Sequence, residues 1–409
     1  MKGDKLRLAW IVPTVDAGGI GPVALETARA AGETCDVTVI ETHGAPRRDE
    51  RADGIRRVAM DMAGTGEPAT CILDWLKSNW QDVIFTNGVS HLDEIFPHIP
   101  QDVAHVAVLH DAGRRYRTNL LSYARHLSGV VAVSDYVCHW IKNDLRAIGY
   151  SGVLRRIYNG TSYPPDVERG ARGGPLRLLF IGGAIQKGIV QIIAFEKALR
   201  EVGGKFELTV VADRTEWLQR KFAGAGFRIP LAWKDRVPRD ELWPVYAQHD
   251  VLLALSAGEA FGMVTIEAMG MGCVPVSYKG GSGTSEIIEP GVSGLLVGYG
   301  PRSLAAALAV LTPGQLDTMA AAAAVRARTY FNAARTAREY VQLAREVATS
   351  QGAVARPGSF AAESSPRLGD RVRTWVANAY HALPMAVRKR IRRALGPYPD
   401  RLRWFRERF

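Results

Sequence analysis

Cysteine is scarce in this chain. Four residues, at positions 35, 71, 138 and 273 of 409, are too few for a disulfide framework, and no pair has the spacing of metal ligands. They read as free thiols in a reducing compartment. Asp-x-Asp does not occur, and neither does a His/Cys/Asp cluster with metal spacing, so no required metal is expected. A P-loop and a G-x-S-x-G elbow are also missing. No apolar run approaches 18 residues, which excludes an expected membrane-spanning helix. The opening "KLRLAWIVPTV" is basic and then apolar. Its apolar run is short, Pro13 and Asp16 follow at once, and no small-residue cleavage pattern comes after, so a first β-strand is expected rather than a signal peptide.

The composition is that of a globular protein, with 47% hydrophobic residues, and the length calls for two domains rather than one core. Charge is unevenly placed. Residues 366–409 hold 12 Lys and Arg against 3 Asp and Glu, so they carry +9 of the net +11. A nearly neutral body with a basic tail points to an anionic surface as a partner. Trp375, Tyr380, Leu383, Trp404 and Phe405 are mixed with that charge, a composition suited to a membrane interface. Without a recognisable nucleic-acid motif, nucleic acid is not the expected partner.

Strand-like runs ("LRLAWIV", "DVTVIE", "DVIFTNG", "VAHVAVLH", "GVVAVS") alternate with helical spacing in the first part. Such alternation predicts a parallel sheet with helices on both faces. "YNGTSYPPDVERGARGGP" reads as an interdomain linker. The pattern then restarts with "LRLLFIGG", "KFELTVVA", "DVLLALS", "CVPVSY" and "GLLVG". The expected class is α/β: two doubly wound Rossmann-like domains, 1–165 and 175–348, facing a central crevice. Residues 349–409 are expected to form a flexible linker and a basic amphipathic helical tail. Ligands of paired domains of this kind sit between the carboxyl ends of the strands.

"GEAFGMVTIEAMGMGCVPV", residues 258–276, carries Glu259 and Glu267 around an otherwise apolar stretch. Strand, loop and helix follow one another here, with the helix starting near Gly262. The amides of Gly262, Met263 and Val264 then lack intrahelical acceptors and form a ready phosphate site. Glu259 precedes them in the loop, with Phe261 in the turn as a further expected donor contact. Glu267 lies about 7 Å along the helix from Gly262. The two carboxylates would bracket a diphosphate, one toward each sugar of a nucleotide-sugar.

This stretch resembles the E-x7-E signature of retaining glycosyltransferases of family 4, which have the GT-B fold. The resemblance covers roughly residues 6–345 and leaves the tail outside. It implies that Glu259 contacts donor-sugar hydroxyls and that Glu267 binds the ribose. "VDAGGIGPVALETARAAG" is similar to the family's glycine-rich loop, which places Gly18 and Gly19 against the donor diphosphate. "LLFIGGAIQKGIVQ" is similar to the family's G-R-(x)-K-G turn. Lys187 matches, but Gly183 stands where Arg is usual, so Lys187 would carry more of the phosphate charge. His110, ending "VAVLH", resembles the family's active-site histidine. Asp111 beside it either orients that ring or caps the next helix. Arg114, Arg115 and Arg117 are either a solvated face or a hold for an anionic acceptor. Glu286 is either a site residue or a helix-start residue, and "YNGTS" resembles the family's structural linker turn.

The resemblance implies a retaining, metal-independent glycosyltransferase that moves a sugar from a nucleotide diphosphate sugar to an acceptor hydroxyl, in bacterial-type polysaccharide or glycolipid synthesis. The mechanism is front-side, with the donor phosphate helping to deprotonate the acceptor. The expected partners are the donor, a glycan or lipid-linked acceptor and an anionic membrane face. The expected location is cytoplasmic, peripheral at the inner face of the membrane. A GT-B nucleotide-sugar epimerase, which needs no second substrate, and a non-catalytic nucleotide-sugar-binding module remain the alternatives.

Overall fold

The computed structural model describes residues 5–15, 18–42, 48–60, 68–88, 98–100, 102–165, 167–170, 173–182, 188–213, 216–256 and 258–350. Lys187, Gly183 and the basic tail lie outside the described residues.

The first sheet is built on β1 (Arg7–Val12), β2 (Asp36–Glu41), β5 (Val83–Asn87), β6 (Ala104–Leu109), β7 (Gly129–Ala132) and β8 (Val153–Arg156). A hairpin of β3 (Arg48–Ala52) and β4 (Ile55–Ala59) extends one edge, giving the order β3-β4-β2-β1-β5-β6-β7-β8. All pairings are parallel except β3 with β4. Leu8 to Val12 are buried in succession. A strand covered on both faces needs such a continuous apolar run.

The second sheet has the order β11-β10-β9-β12-β13-β14, all parallel. Its strands are β9 (Leu176–Ile181), β10 (Phe206–Val211), β11 (Leu231–Lys234), β12 (Val251–Ala254), β13 (Val274–Tyr278) and β14 (Leu295–Val297). In both sheets the direction of winding reverses once, between β1 and β5 and between β9 and β12. Crevices open at such switch points. They lie beside the segments in which the sequence places its candidate site.

Two strands of chain join the domains, and they run side by side. Thr161 N donates to the carbonyl of Phe331, and Ala333 N donates back to Thr161. A Cβ on Gly160 would lie 2.4 Å from the carbonyl oxygen of Asn332, so this glycine permits the close approach. Tyr158, Phe261 and Phe331 form an aromatic cluster at the junction, with centroids 5.7–5.8 Å apart. Each such pair adds about 0.5–1.5 kcal/mol beyond area burial. The YNGTS segment is therefore structural.

Past the junction, α12 (Ala333–Ser350) returns to the first domain. Tyr340 meets Phe85 edge-on at 5.2 Å and Trp10 at 6.1 Å, and Val341, Ala344 and Val347 bury in the same core. The helix that the sequence grouped with the second domain, up to residue 348, thus completes the core of the first. Its apolar stripe finds a partner in α1 (Ile20–Gly32) and the aromatic face of β1 and β5. Among the described residues no single helix is long and apolar enough to cross a membrane.

Candidate active site

The second domain presents two helix N-termini at its switch point. β12 leads through a loop to α8 (Met263–Gly270), whose N-cap Gly262 has φ +113°. A Cβ there would lie 2.8 Å from Thr284 Oγ1, so conformation and packing both demand glycine. α5 (Ile189–Val202) begins at Gly188, φ +90°, where a Cβ would come within 2.7 Å of the Leu255 carbonyl oxygen. Each N-terminus carries roughly half a positive charge. The amides of Gly262, Met263 and Val264 open α8 as the sequence predicts. Segment 188–190 opens α5 just after Lys187, a second positive pole that sequence reasoning did not name.

The β12–α8 loop is braced from behind. Gly283 N donates to the carbonyl of Glu259 at 2.7 Å, and Thr284 Oγ1 donates to the carbonyl of Phe261. Glu259 is half-buried. Phe261 is fully buried: the residue is only 2% exposed, and its ring sits in the junction cluster with Tyr158 and Phe331. The residue packs at the junction instead of making the expected contact with a donor.

Glu267 is also turned inward. Its side chain is 4% exposed. Oε1 accepts from Arg239 Nε at 2.7 Å, and Oε2 accepts from the Tyr246 hydroxyl at 2.8 Å. Burial pushes the carboxyl above its ordinary range, opposed by the guanidinium. Burial and the Glu267 charge raise Tyr246 well above its ordinary value, so it stays a hydroxyl donor. The same guanidinium donates to Glu26 of α1 at 2.6 Å and to Thr161 Oγ1 at 2.7 Å. The expected bracket of two carboxylates facing a diphosphate is thus altered. Glu259 lies in the loop, while Glu267 anchors a buried network that reaches the first domain.

In the first domain, Gly18 has φ +74°, and a Cβ on Gly18 or Gly19 would meet nothing within 4 Å. Both stand with open space beside them where α1 begins. Gly21 is the close-packed glycine of this loop, since its Cβ would collide with the Thr14 carbonyl. His110 follows the last residue of β6, and its Nε2 is 2.9 Å from Asn87 Oδ1 at the end of the neighbouring β5. Burial lowers its pKa to about 4, so the ring is neutral at pH 7. Asp111 does not reach that ring in the described contacts. Its Oδ1 accepts from Gly113 N at 2.6 Å, capping the turn into α3 (Arg114–Tyr123). Arg114 and Arg115 are exposed in the first turn of α3. Arg117 is engaged, with Asp144 at 2.5 Å and the Trp140 ring 5.1 Å away.

Glu286 spans the crevice. Its carboxylate accepts from the main-chain N–H of Asp135 at 2.7 Å and of Tyr136 at 2.6 Å. These open α4 (Asp135–Ala147) of the first domain, whose Ser134 side chain caps Val137 N. A carboxylate at a helix N-terminus meets unpaired donors and a favourable dipole. Burial raises the Glu286 pKa against those two bonds. The residue is an interdomain strut rather than a simple helix start. Among the described residues no group of three or more His, Cys, Asp or Glu could hold a metal ion.

Comparison with known proteins agrees with this architecture. Residues 175–312 match the family described as glycosyl transferases group 1. Over 164 residues, 40% of this chain, the sequence is 29% identical to D-inositol 3-phosphate glycosyltransferase of Corynebacterium kroppenstedtii. The match spans about three tenths of that relative's length. Sucrose-phosphate synthase of Thermosynechococcus elongatus superposes with a TM-score of 0.67 over 84% of this chain and 99% of its own, at 16% identity. Anabaena HepE in complex with UDP-glucose gives 0.63 over 83% and 100%, at 17% identity. The chain has the two-domain GT-B-like fold, and its second domain is similar in sequence to glycosyl transferases group 1.

Proposed function

We propose that this protein is a retaining glycosyltransferase that takes a sugar from a nucleotide diphosphate sugar and needs no metal ion. The second domain holds the donor. The diphosphate lies on the amides of Gly262, Met263 and Val264 and on Lys187, with the α5 N-terminus adding positive potential. Glu259 binds the hydroxyls of the transferred sugar. Glu267 supports the site from behind, as the buried anchor of Arg239 and Tyr246, rather than by touching the ribose. Gly18 and Gly19 close over the diphosphate from the first domain. His110 stands on the acceptor side, beside Arg114 and Arg115 on α3. The acceptor is a glycan or a lipid-linked hydroxyl compound at the cytoplasmic membrane face, reached through the basic tail. The chemistry is front-side: the acceptor hydroxyl attacks the anomeric carbon, its proton passes to the departing phosphate, and no protein nucleophile takes part.

The observation that carries the reading is the β12–α8 loop. Glu259 and the left-handed Gly262 stand at a topological switch point, inside the stretch that matches glycosyl transferases group 1. Because HepE was captured with UDP-glucose, UDP-sugars are the first donors to try.

The experiment is a melting screen against UDP-, GDP-, ADP- and dTDP-sugars, followed by donor turnover with the stabilising compound. A ligand at 100 times its Kd adds about 2.7 kcal/mol, so the true donor raises the melting temperature clearly. Glu259→Ala should stay folded, bind the free nucleotide diphosphate and lose turnover. Turnover should persist in EDTA. A screen in which no nucleotide diphosphate sugar stabilises the protein overturns the reading. Loss of turnover in EDTA that magnesium restores overturns the metal-free part alone.

A further inference from the structure

Asn87 ends β5 and His110 follows β6, its parallel neighbour. Asn87 is 2% exposed, so its amide is satisfied by protein groups or not at all. Nδ2 faces two main-chain carbonyl oxygens, of Ile11 at 3.5 Å and Phe85 at 3.4 Å. Carbonyls only accept. The edge toward them must therefore be the NH2, because the flipped amide would set its oxygen against both. The other edge, toward His110 Nε2 at 2.9 Å, is then the amide oxygen. That oxygen also only accepts, so Nε2 must carry the proton.

We propose that Asn87 is a positioning residue that holds His110 as its Nε2–H tautomer, leaving Nδ1 as a bare acceptor for a substrate hydroxyl and not for a phosphate. The neutral ring has one proton, and Asn87 has placed it. Burial disfavours a second proton, so Nδ1 offers a lone pair at neutral pH. The ionised inner oxygens of a diphosphate ester offer only lone pairs as well, and the two repel. A sugar or acceptor hydroxyl donates to Nδ1 without any proton transfer. The substrate half of this assignment rests on the glycosyl-transfer reading; the tautomer does not. Asp111, the residue adjacent in sequence that would be the obvious orienter, is committed to Gly113 N.

The test is nitrogen NMR of protein labelled in the histidine rings, with His110 assigned by the signal lost in His110→Gln. At pH 7 the expected pattern is a protonated Nε2 and an unprotonated Nδ1. Asn87→Ala should lose the single tautomer and give an exchanging mixture. If that variant does not fold, Asn87→Asp keeps the shape and serves instead. Its carboxylate should move the His110 titration upward by about 1–3 pH units. A proton found on Nδ1 in the unaltered protein overturns the tautomer, and an unmoved titration in Asn87→Asp overturns the role of Asn87. Sulfate, fully ionised at pH 7 and so an acceptor only, should leave the Nδ1 resonance in place; protonation of Nδ1 on adding it overturns the hydroxyl assignment. These spectra need no turnover, so they stand or fall separately from the transfer reaction.

Discussion

Arg239 Nη1 lies 2.6 Å from the Glu26 carboxylate, although 213 residues and a domain boundary separate them. Its Nε is held by Glu267 and its Nη2 by Thr161 of the linker. One guanidinium therefore joins α1, the linker and α8. Breaking a buried pair costs about 3–5 kcal/mol because the partner charge is stranded. Arg239 is partly exposed, which lowers this figure. Arg239→Ala should destabilise the protein by about 2–3 kcal/mol in urea unfolding. A double-mutant cycle with Glu26→Gln should return a coupling of about 0.5–3 kcal/mol. Additive effects of the two changes would mean that the bridge does not couple the domains.

The second interdomain link is Glu286 on the amides of Asp135 and Tyr136. Hydrogen bonds to a charged group contribute about 1.5–3 kcal/mol, and the half-exposed setting trims that. Glu286→Ala should leave both cores intact but loosen the crevice. Small-angle scattering should report a larger radius of gyration, and urea unfolding a loss of about 1–2 kcal/mol in stability. Glu286→Gln, which keeps an acceptor oxygen, should fall between. An unchanged scattering curve for the alanine variant would show that the strut does not set the domain arrangement.

His110 gives the pH prediction. Its ordinary pKa is about 6.5 and its folded value about 4. Between those values the unfolded chain binds the proton and the folded one does not. Stability is therefore fully present above about pH 6.5 and lost as pH falls toward 4. The loss from this group is up to roughly 3 kcal/mol at 1.36 kcal/mol per pKa unit. His110→Gln should flatten that part of the stability curve, measured by urea unfolding from pH 7 to pH 4. His105, buried and lowered to about 3 by its own burial, should leave a residual slope. An unaltered slope in the variant would mean that His110 is solvated and titrates normally.

Much of this arrangement was legible in the residues, and what was not has physical reasons. The central strands announced themselves because parallel strands covered on both faces are continuous apolar runs. β3 and β4 did not, since "RDERA" and "IRRVA" form a charged edge in which Arg56 pairs with Asp49 at 2.6 Å. A signal was present: Asp53 and Gly54 both have positive φ, and Asp-Gly is the residue pair of a two-residue hairpin turn. Glu259, Gly262 and His110 could be named as candidates from sequence because each belongs to a local motif. Asn87, Arg239, Tyr246 and the reach of Glu286 were not, because their roles exist only through contacts that span 21–213 residues. Phe261 and Glu267 were read as facing a ligand; helix position alone does not say which way a side chain turns when both faces of the helix are buried.

The basic tail yields the remaining prediction. Residues 366–409 hold +9 of the net +11 and large apolar or aromatic residues that include Trp375, Tyr380, Leu383, Trp404 and Phe405. Charge of that density on a body that carries only +2 seeks an anionic surface. Each Lys or Arg near an anionic bilayer contributes about 1 kcal/mol, so several suffice for reversible attachment, and the aromatic residues add interfacial burial. Attachment of this kind is screened by salt, because the Debye length falls from about 10 Å at 0.1 M to about 3 Å at 1 M. The full chain should sediment with vesicles containing phosphatidylserine or phosphatidylglycerol, stay in solution with neutral phosphatidylcholine, and be released at 1 M salt. A chain ending at Pro366 should remain soluble with both. Equal sedimentation of the shortened and full chains would place any membrane contact on the folded body, where Tyr116 and Trp140 are exposed, the latter against Arg117. Retention of the full chain at 1 M salt would mean that apolar burial, rather than charge, dominates its attachment.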